Sequence, residues 1–287
     1  NLSGNLPVHI QRDYSMPSWW NDSWLVIATS HSGNTEEALS ASQIALDCGA
    51  TVIVISTGGM LAGMPEIYSR CYLIPSVGGQ PPRSAFGHIF SRQLGLLRHL
   101  GVIEMPTENS DLEMLERLQI ACEGFDILND PTGDLVELAS YMESRPIAIV
   151  GPTELMPALN RFKNQLNENS ARFTRIGVIP EMNHNESVAW GGVGGDKDPE
   201  SDQQVLLFLT WEGMHKRVSH RIDWMIAHTT TDFAWKMQGE GNTLLESLLH
   251  LCIVMDWLSI ALALLHGKDP AAIGPISALK DFLNAKN

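Results

Sequence analysis

The chain has 287 residues, enough for about two domains, and its 44% apolar and 18% charged residues fit packed cores rather than disorder. Its 33 acidic residues against 19 Lys and Arg give a net charge of −14, which argues against a nucleic-acid surface and leaves room for a local cationic pocket. Four cysteines without a C-x-x-C pair, and an N-terminus without a secretory signal, suggest free thiols and a cytoplasmic setting.

The first predicted strand, 24–29, empties into Ser30-His31-Ser32-Gly33-Asn34-Thr35, and a helix is expected over about 34–47. Leu39, Ile44 and Leu46 read as its apolar side, and Cys48-Gly49 as its end. A strand over 51–56 follows, then Thr57-Gly58-Gly59, a short helix and a third apolar run over 71–75. Strands separated by helices predict parallel βαβ units with right-handed crossovers. The segment 77–83 reads as a Gly/Pro-rich loop ending in Arg83, with a helix from there to about 99.

Residues 105–145 contain Pro106, Pro131 and two helical patterns, and read as a helical connection between a first half, 1–104, and a second, 146–287. The second half begins with a strand over 146–150, a helix to about 172 and a strand over 175–179. The Gly-rich stretch 190–202, with Asp196, Asp198 and Glu200, looks like a mobile insertion or surface loop. A strand over 204–211, a helix over 215–227, a short strand over 232–237 and a long helix over 243–266 complete the core. A final helix is expected over 275–284. The longest apolar stretch, 258–265, is too short to span a bilayer, so no membrane association is expected. The fold class is α/β, with two doubly wound parallel sheets and ligands beyond the carboxyl ends of strands.

The turn after the first strand is shaped for phosphate. Gly33 permits a tight bend, the first-turn N–H groups have no intrahelical partners, and three hydroxyls can bond non-bridging oxygens. The same residues also fit ordinary helix capping, with Asn34 and Glu37 as a capping box. Arg83 in its loop can be held beside an oxyanion or stand as an exposed arginine. Glu168, in the polar island 164–170, can be a solvated helix residue or a base oriented by flanking amides. His184 follows a strand end, a location that favours function over a core role. Lys280 sits on an amphipathic terminal helix, where lysines usually form a solvated face. The ten histidines contain no H-E-x-x-H, and His215 and His220 are five apart, so no metal is expected.

Taken in order, Ser-x-Ser-Gly-Asn-Thr at 30–35, Pro82-Arg83, Asn167-Glu168-Asn169, His184-Asn185-Glu186, and Gly267-Lys268-Asp269-Pro270 with Ile276 and Leu279-Lys280 form a set. Over essentially its whole length the chain resembles the bifunctional phosphoglucose/phosphomannose isomerases, a branch of the phosphoglucose isomerase superfamily built from two sugar-isomerase (SIS) domains. The serine turn is common to many sugar-phosphate binders. The Asn-Glu-Asn island, with His184 sixteen residues on and Lys280 near the end, is much more specific.

The resemblance implies that Ser30, Ser32 and Thr35 hold the phosphate of a hexose 6-phosphate and that Glu168 moves a proton between C1 and C2. It implies that Arg83 stabilises the enediolate, and that His184 and Lys280 assist ring opening. It further implies a homodimer in which His184 crosses to the neighbouring subunit, with no cofactor. His31 stands where the family commonly has an aromatic residue. Family members also carry a Gly-Gly-Ser phosphate loop after a first strand, whereas this sequence starts beyond it, at Asn1-Leu2-Ser3-Gly4-Asn5. The intact later motifs favour residues missing from the sequence over a shortened relative.

Aldose–ketose exchange through a cis-enediol needs this kind of set: one carboxylate to take and return a proton, a cation at O1/O2, and a distant phosphate to orient the carbons. The expected reaction is interconversion of glucose 6-phosphate and fructose 6-phosphate, with mannose 6-phosphate as a second aldose. The alternatives are another sugar-phosphate isomerase or amino-sugar deglycase on the same domains, or a sugar-phosphate-binding regulatory protein.

Overall fold

The structure, a computed structural model, describes residue 4 and residues 6–286; Asn1, Leu2, Ser3 and Asn5 of the opening segment lie outside the described residues. The chain divides into two compact units, Asn1–Met105 and Pro106–Asn287.

In the first unit three parallel strands, β1 (Leu25–Thr29), β2 (Thr51–Ser56) and β3 (Cys71–Pro75), pair in sequence order. Leu25 stands opposite Thr51 and Val52 opposite Cys71. Helices α1 (Glu36–Asp47) and α2 (Gly59–Gly63) link them, and α3 (Phe86–His99) follows. The core gathers Val52, Val54, Ala45, Leu46, Leu61 and Met64. The buried stripe of α1 runs through small residues, Ser42 and Ala45, together with Leu46, so this helix presents little bulk to its neighbours. Ser42 Oγ donates to the Ala38 carbonyl at 2.6 Å, which satisfies the buried hydroxyl. Ile44, expected on the apolar side, is 36% exposed instead, since one residue is a 100° turn away from Ala45. Gln93 of α3 donates to Thr29 Oγ1 at 2.8 Å and ties that helix to β1.

In the second unit β4 (Ile147–Pro152), β5 (Thr174–Ile179), β6 (Val205–Trp211) and β7 (Ala234–Gly239) form a parallel sheet in the order β5-β4-β6-β7. The chain steps outward from β4 to β5, then returns to the other side of β4 for β6. That reversal is the switch point of a doubly wound sheet. All six residues of β4 are buried, as expected of a strand covered on both faces.

The helices are α4 (Ser110–Gly124), α5 (Asp134–Met142), α6 (Met156–Ser170), α7 (Glu186–Trp190), α8 (Lys216–His228), α9 (Leu244–Leu265) and α10 (Gly274–Asn284). Among the described residues α9 is the one helix long and apolar enough to cross a membrane, with a mean hydropathy of 2.2. Here it forms the centre of the unit, with Leu251, Met255, Leu258 and Leu262 fully buried. A helix apolar on all sides needs cover on all sides. The two helices expected as a connection supply part of it. Helix α5 buries Leu135, Ala139 and Met142, and α4 buries Met114 and Leu118. Both therefore belong with the second unit.

The stretch 190–202 is held at several points. Trp190 is buried, Gly192 has φ 84° and leaves no space for a side chain against the His228 carbonyl, and Lys197 pairs with Asp202 at 2.6 Å. Ser201 Oγ lies 3.1 Å from Thr230 Oγ1. A freely moving insertion is not what these contacts describe.

Candidate active site

At the carboxyl edge of the first sheet, three loops leave β1, β2 and β3 and lock together. Gly33 has φ 71°, and a Cβ there would fall 1.8 Å from the Gly58 carbonyl oxygen. Gly59 has φ 70°, and its Cβ would fall 2.3 Å from the Ser32 carbonyl oxygen. Glycine is therefore required on both sides of the contact. Thr57 donates twice to the His31 carbonyl, from N at 3.1 Å and from Oγ1 at 2.7 Å. The ring of His31 donates from Nε2 to the Gln80 carbonyl at 3.1 Å and so joins the loop after β3, three residues before Arg83.

Within this frame Ser30 is buried, with Oγ 2.7 Å from Thr35 Oγ1 and accepting from Gly33 N at 3.1 Å. Ser32 and Thr35 are exposed, and Ser32 Oγ accepts from Asn34 N at 3.2 Å. The expected capping box is not formed. Asn34 Oδ1 accepts from Met60 N at 2.9 Å, and the residue capping α1 is Thr35, whose side chain takes no helix amide. The first-turn N–H groups and three hydroxyls thus share one edge, which can hold a dianion. Arg83, half-buried, belongs to the same edge through its loop.

In the second unit Glu168 lies in the last turn of α6 and is half-buried. The amides of Gln165 and Asn169 face α9 instead. Arg161 makes paired hydrogen bonds to Asp256 of α9, Gln165 donates to Asp256 Oδ1 at 2.9 Å, and Asn169 donates to Ser259 Oγ at 2.8 Å. These residues recur every four positions and form the face that α6 turns to α9. The polar island is therefore mostly structural. Asn167 is exposed.

Lys268 clamps the end of α6. Its Nζ donates to the carbonyls of Glu168 (2.8 Å), Asn169 (3.0 Å), Asp269 (3.1 Å) and Ala272 (3.3 Å). The first two are carbonyls at a helix end, which a cation there satisfies. Ala272 lies two residues before the start of α10, so this one ammonium fastens the segment leading into the helix that carries Lys280 to the turn carrying Glu168. Lys280 itself is exposed, and so is all of α10, including Leu279 and Phe282 at 58% each.

His184 is exposed and closes the 3-10 turn Glu181–His184, just after β5. Helix α6 runs antiparallel to the strands and ends where β5 begins. Glu168 consequently stands at the amino edge of this sheet and His184 at its carboxyl edge. The strand between them rises about 17 Å over its six residues. The expectation of ligands beyond the carboxyl ends of strands fits the first unit's loops and His184, but not Glu168.

A family model described as the bacterial phospho-glucose isomerase C-terminal SIS domain matches residues 134–283. Bifunctional phosphoglucose/phosphomannose isomerase from Aquifex aeolicus is 31% identical over 98% of this chain and 82% of its own length. The chain belongs to the bifunctional phosphoglucose/phosphomannose isomerase family. The enzyme of the same name from Caldicellulosiruptor bescii is also 31% identical, over 97% of this chain and 81% of its own. In fold the chain is similar to a glucose-6-phosphate isomerase like protein from Thermus thermophilus, with a TM-score of 0.57 at 14% identity, covering 89% of this chain and 78% of that one.

The sequence alone assigns no task to Lys268, to the His31 ring or to Thr57-Gly58-Gly59. The paired glycines at the end of β2 were the available signal. Nothing in the sequence marked Lys268 as a clamp, because its four acceptors are backbone carbonyls.

Proposed function

We propose that the chain interconverts glucose 6-phosphate and fructose 6-phosphate, and likewise mannose 6-phosphate and fructose 6-phosphate, through a cis-enediol. The observation that carries this is membership of a family whose relatives, matched over 97–98% of this chain and 81–82% of their own length, are named as isomerases of that pair of aldoses. The edge of the first sheet supports it physically. Ser30, Ser32 and Thr35 bind the 6-phosphate with the first-turn amides of α1, and that remote binding energy orients the reacting carbons.

Glu168 takes the proton from C2 of the aldose and returns it to C1 on the same face. Arg83 balances the charge that develops on O1 and O2. His184 and Lys280 open the ring by moving protons at the ring oxygen and the anomeric hydroxyl. The enediol is the same for both C2 epimers, so mannose 6-phosphate needs only room to turn about C2–C3.

The site is shared between two subunits of a homodimer. A hexose is much shorter than the rise of about 17 Å along β5 that stands between Glu168 and His184. One chain therefore presents these two side chains to two different sugars, and a partner's His184 completes each site. The catalytic set includes no metal or cofactor.

The test is a coupled assay on the purified full chain. Both aldose phosphates should yield fructose 6-phosphate, and Glu168→Gln should abolish both conversions together. Turnover of neither aldose by the unmodified chain, with conversion of another sugar phosphate instead, would assign the site a different substrate.

A further inference from the structure

We propose that the second unit carries an anion site apart from the serine turn, which takes a phosphorylated sugar or polyol in a cleft between α7 and α8. The cleft has a volume of about 350 Å³ and is lined by Asn183, Ser187, Arg217, His220, Arg221 and Trp224. That size lies within the ~300–1,000 Å³ usual for small-molecule sites. Positions 217, 220, 221 and 224 recur at i, i+3, i+4 and i+7 and so share one face of α8. Asn183 and Ser187 stand four apart across the turn into α7 and form the facing wall. These walls follow β5 and β6 and so begin at the carboxyl side of the second sheet.

The cleft carries two cationic side chains. The chain as a whole carries −14, yet two guanidinium groups and an imidazole converge here. Among the described residues no ion pair engages Arg217 or Arg221. Two carboxylates on the same walls are engaged elsewhere: Glu186 with Arg175 at 2.5 Å, and Asp223 with Lys236. Two arginines on one helix face suit the oxygens of a phosphate.

Two further features call for more than a bare anion. Asn183 donates to Ser187 Oγ (3.4 Å) and Met225 Sδ (3.0 Å), while its Oδ1 is buried without a hydrogen-bond partner. A buried acceptor left unpaired is costly, and since this oxygen has no accessible surface, a ligand hydroxyl satisfies it only once the Asn183 amide turns toward the cleft. Trp224 is 43% exposed and stacks on His228 at 4.5 Å, so its ring is held in place as a flat apolar surface for the carbon face of a sugar.

The test is ¹⁹F NMR of the full chain labelled with 5-fluorotryptophan, with the Trp224 resonance assigned by its loss in W224F. Inorganic phosphate and 6-phosphogluconate are titrated separately. The Trp224 resonance should shift saturably in the unmodified chain and in S30A/S32A, and should not shift in R217Q/R221Q. 6-Phosphogluconate should saturate at about tenfold lower concentration than phosphate, the gain expected from one added hydrogen bond to Asn183. The R217Q/R221Q variant should keep hexose-phosphate isomerisation within about twofold, since neither arginine belongs to that machinery. The proposal is overturned by a Trp224 resonance that stays fixed, that moves equally in R217Q/R221Q, or that stops moving in S30A/S32A. Equal saturation by the two probes would overturn the sugar portion and leave free phosphate as the ligand.

Discussion

Lys268 illustrates how a single side chain can govern a site it does not enter. Its four carbonyl acceptors join the turn of Glu168 to the segment leading into α10. Lys268→Met keeps the bulk of the stem and removes every one of these bonds. With Glu168 less firmly held, kcat for the isomerisation should fall about 10- to 100-fold while KM changes little, because a base misplaced by about an ångström loses rate rather than affinity. Steady-state kinetics on both aldose phosphates check this; a raised KM at unchanged kcat would assign Lys268 to substrate binding.

Other residues show where reading the sequence succeeded and where it stopped. The tight bend at Gly33 was legible because φ and size belong to the residue itself. Gln165 and Asn169 were not, since an amide on a helix gives no sign of which neighbour it will meet. Their partners, Asp256 and Ser259, lie about ninety residues further on.

At the scale of elements the strands were readable to within one or two residues, because buried parallel strands are unbroken apolar runs. From sequence alone α4 and α5 look like a link between halves, since two prolines set them apart in the chain. Their place is decided by α9, which is apolar around its circumference and needs several helices to cover it. An ion pair fastens one of them. Arg117 donates to both oxygens of Glu246, at 2.6 and 3.1 Å, and Asn242 N donates to Oε2 at 2.9 Å. Thr243 Oγ1 accepts from Glu246 N at 3.2 Å, which caps α9.

The Arg117 guanidinium and the Asn242 amide hold the Glu246 carboxyl below its ordinary value, against the opposing effect of burial. A lowered value in the folded state means that the carboxylate stabilises the fold above its unfolded value of about 4.3. The contribution is lost as pH falls through the lower, folded value. Glu246→Gln should therefore melt several degrees below the unmodified chain at pH 6–7, and the gap should close as pH falls from the unfolded value through the lower folded one. Thermal unfolding as a function of pH measures this. A gap that persists at low pH would mean that packing, and not the charge, is what the substitution removes.

For the whole molecule, the opposite placement of Glu168 and His184 along the second sheet is what supports the proposed sharing of each site between two subunits. Two inactive variants, Glu168→Gln and His184→Ala, complement each other if each site draws one residue from either subunit. Random re-pairing of an equal mixture gives half heterodimers, each with one complete site, so activity should return to about a quarter of the unmodified level. A mixture as inactive as its components would locate both residues in one subunit's site. The two-unit α/β architecture was legible from the alternation of strands and helices. The separation of these two residues was not, because it depends on which way α6 runs past the sheet.

The most direct measurement is hydrogen exchange at C2 of glucose 6-phosphate in deuterated water, followed by NMR, with binding measured on the same samples. The unmodified chain should wash deuterium into C2 as fructose 6-phosphate forms and reverts, and Glu168→Gln should bind the sugar nearly as well while exchanging no hydrogen. Exchange by Glu168→Gln at a rate near that of the unmodified chain would show that another group is the base.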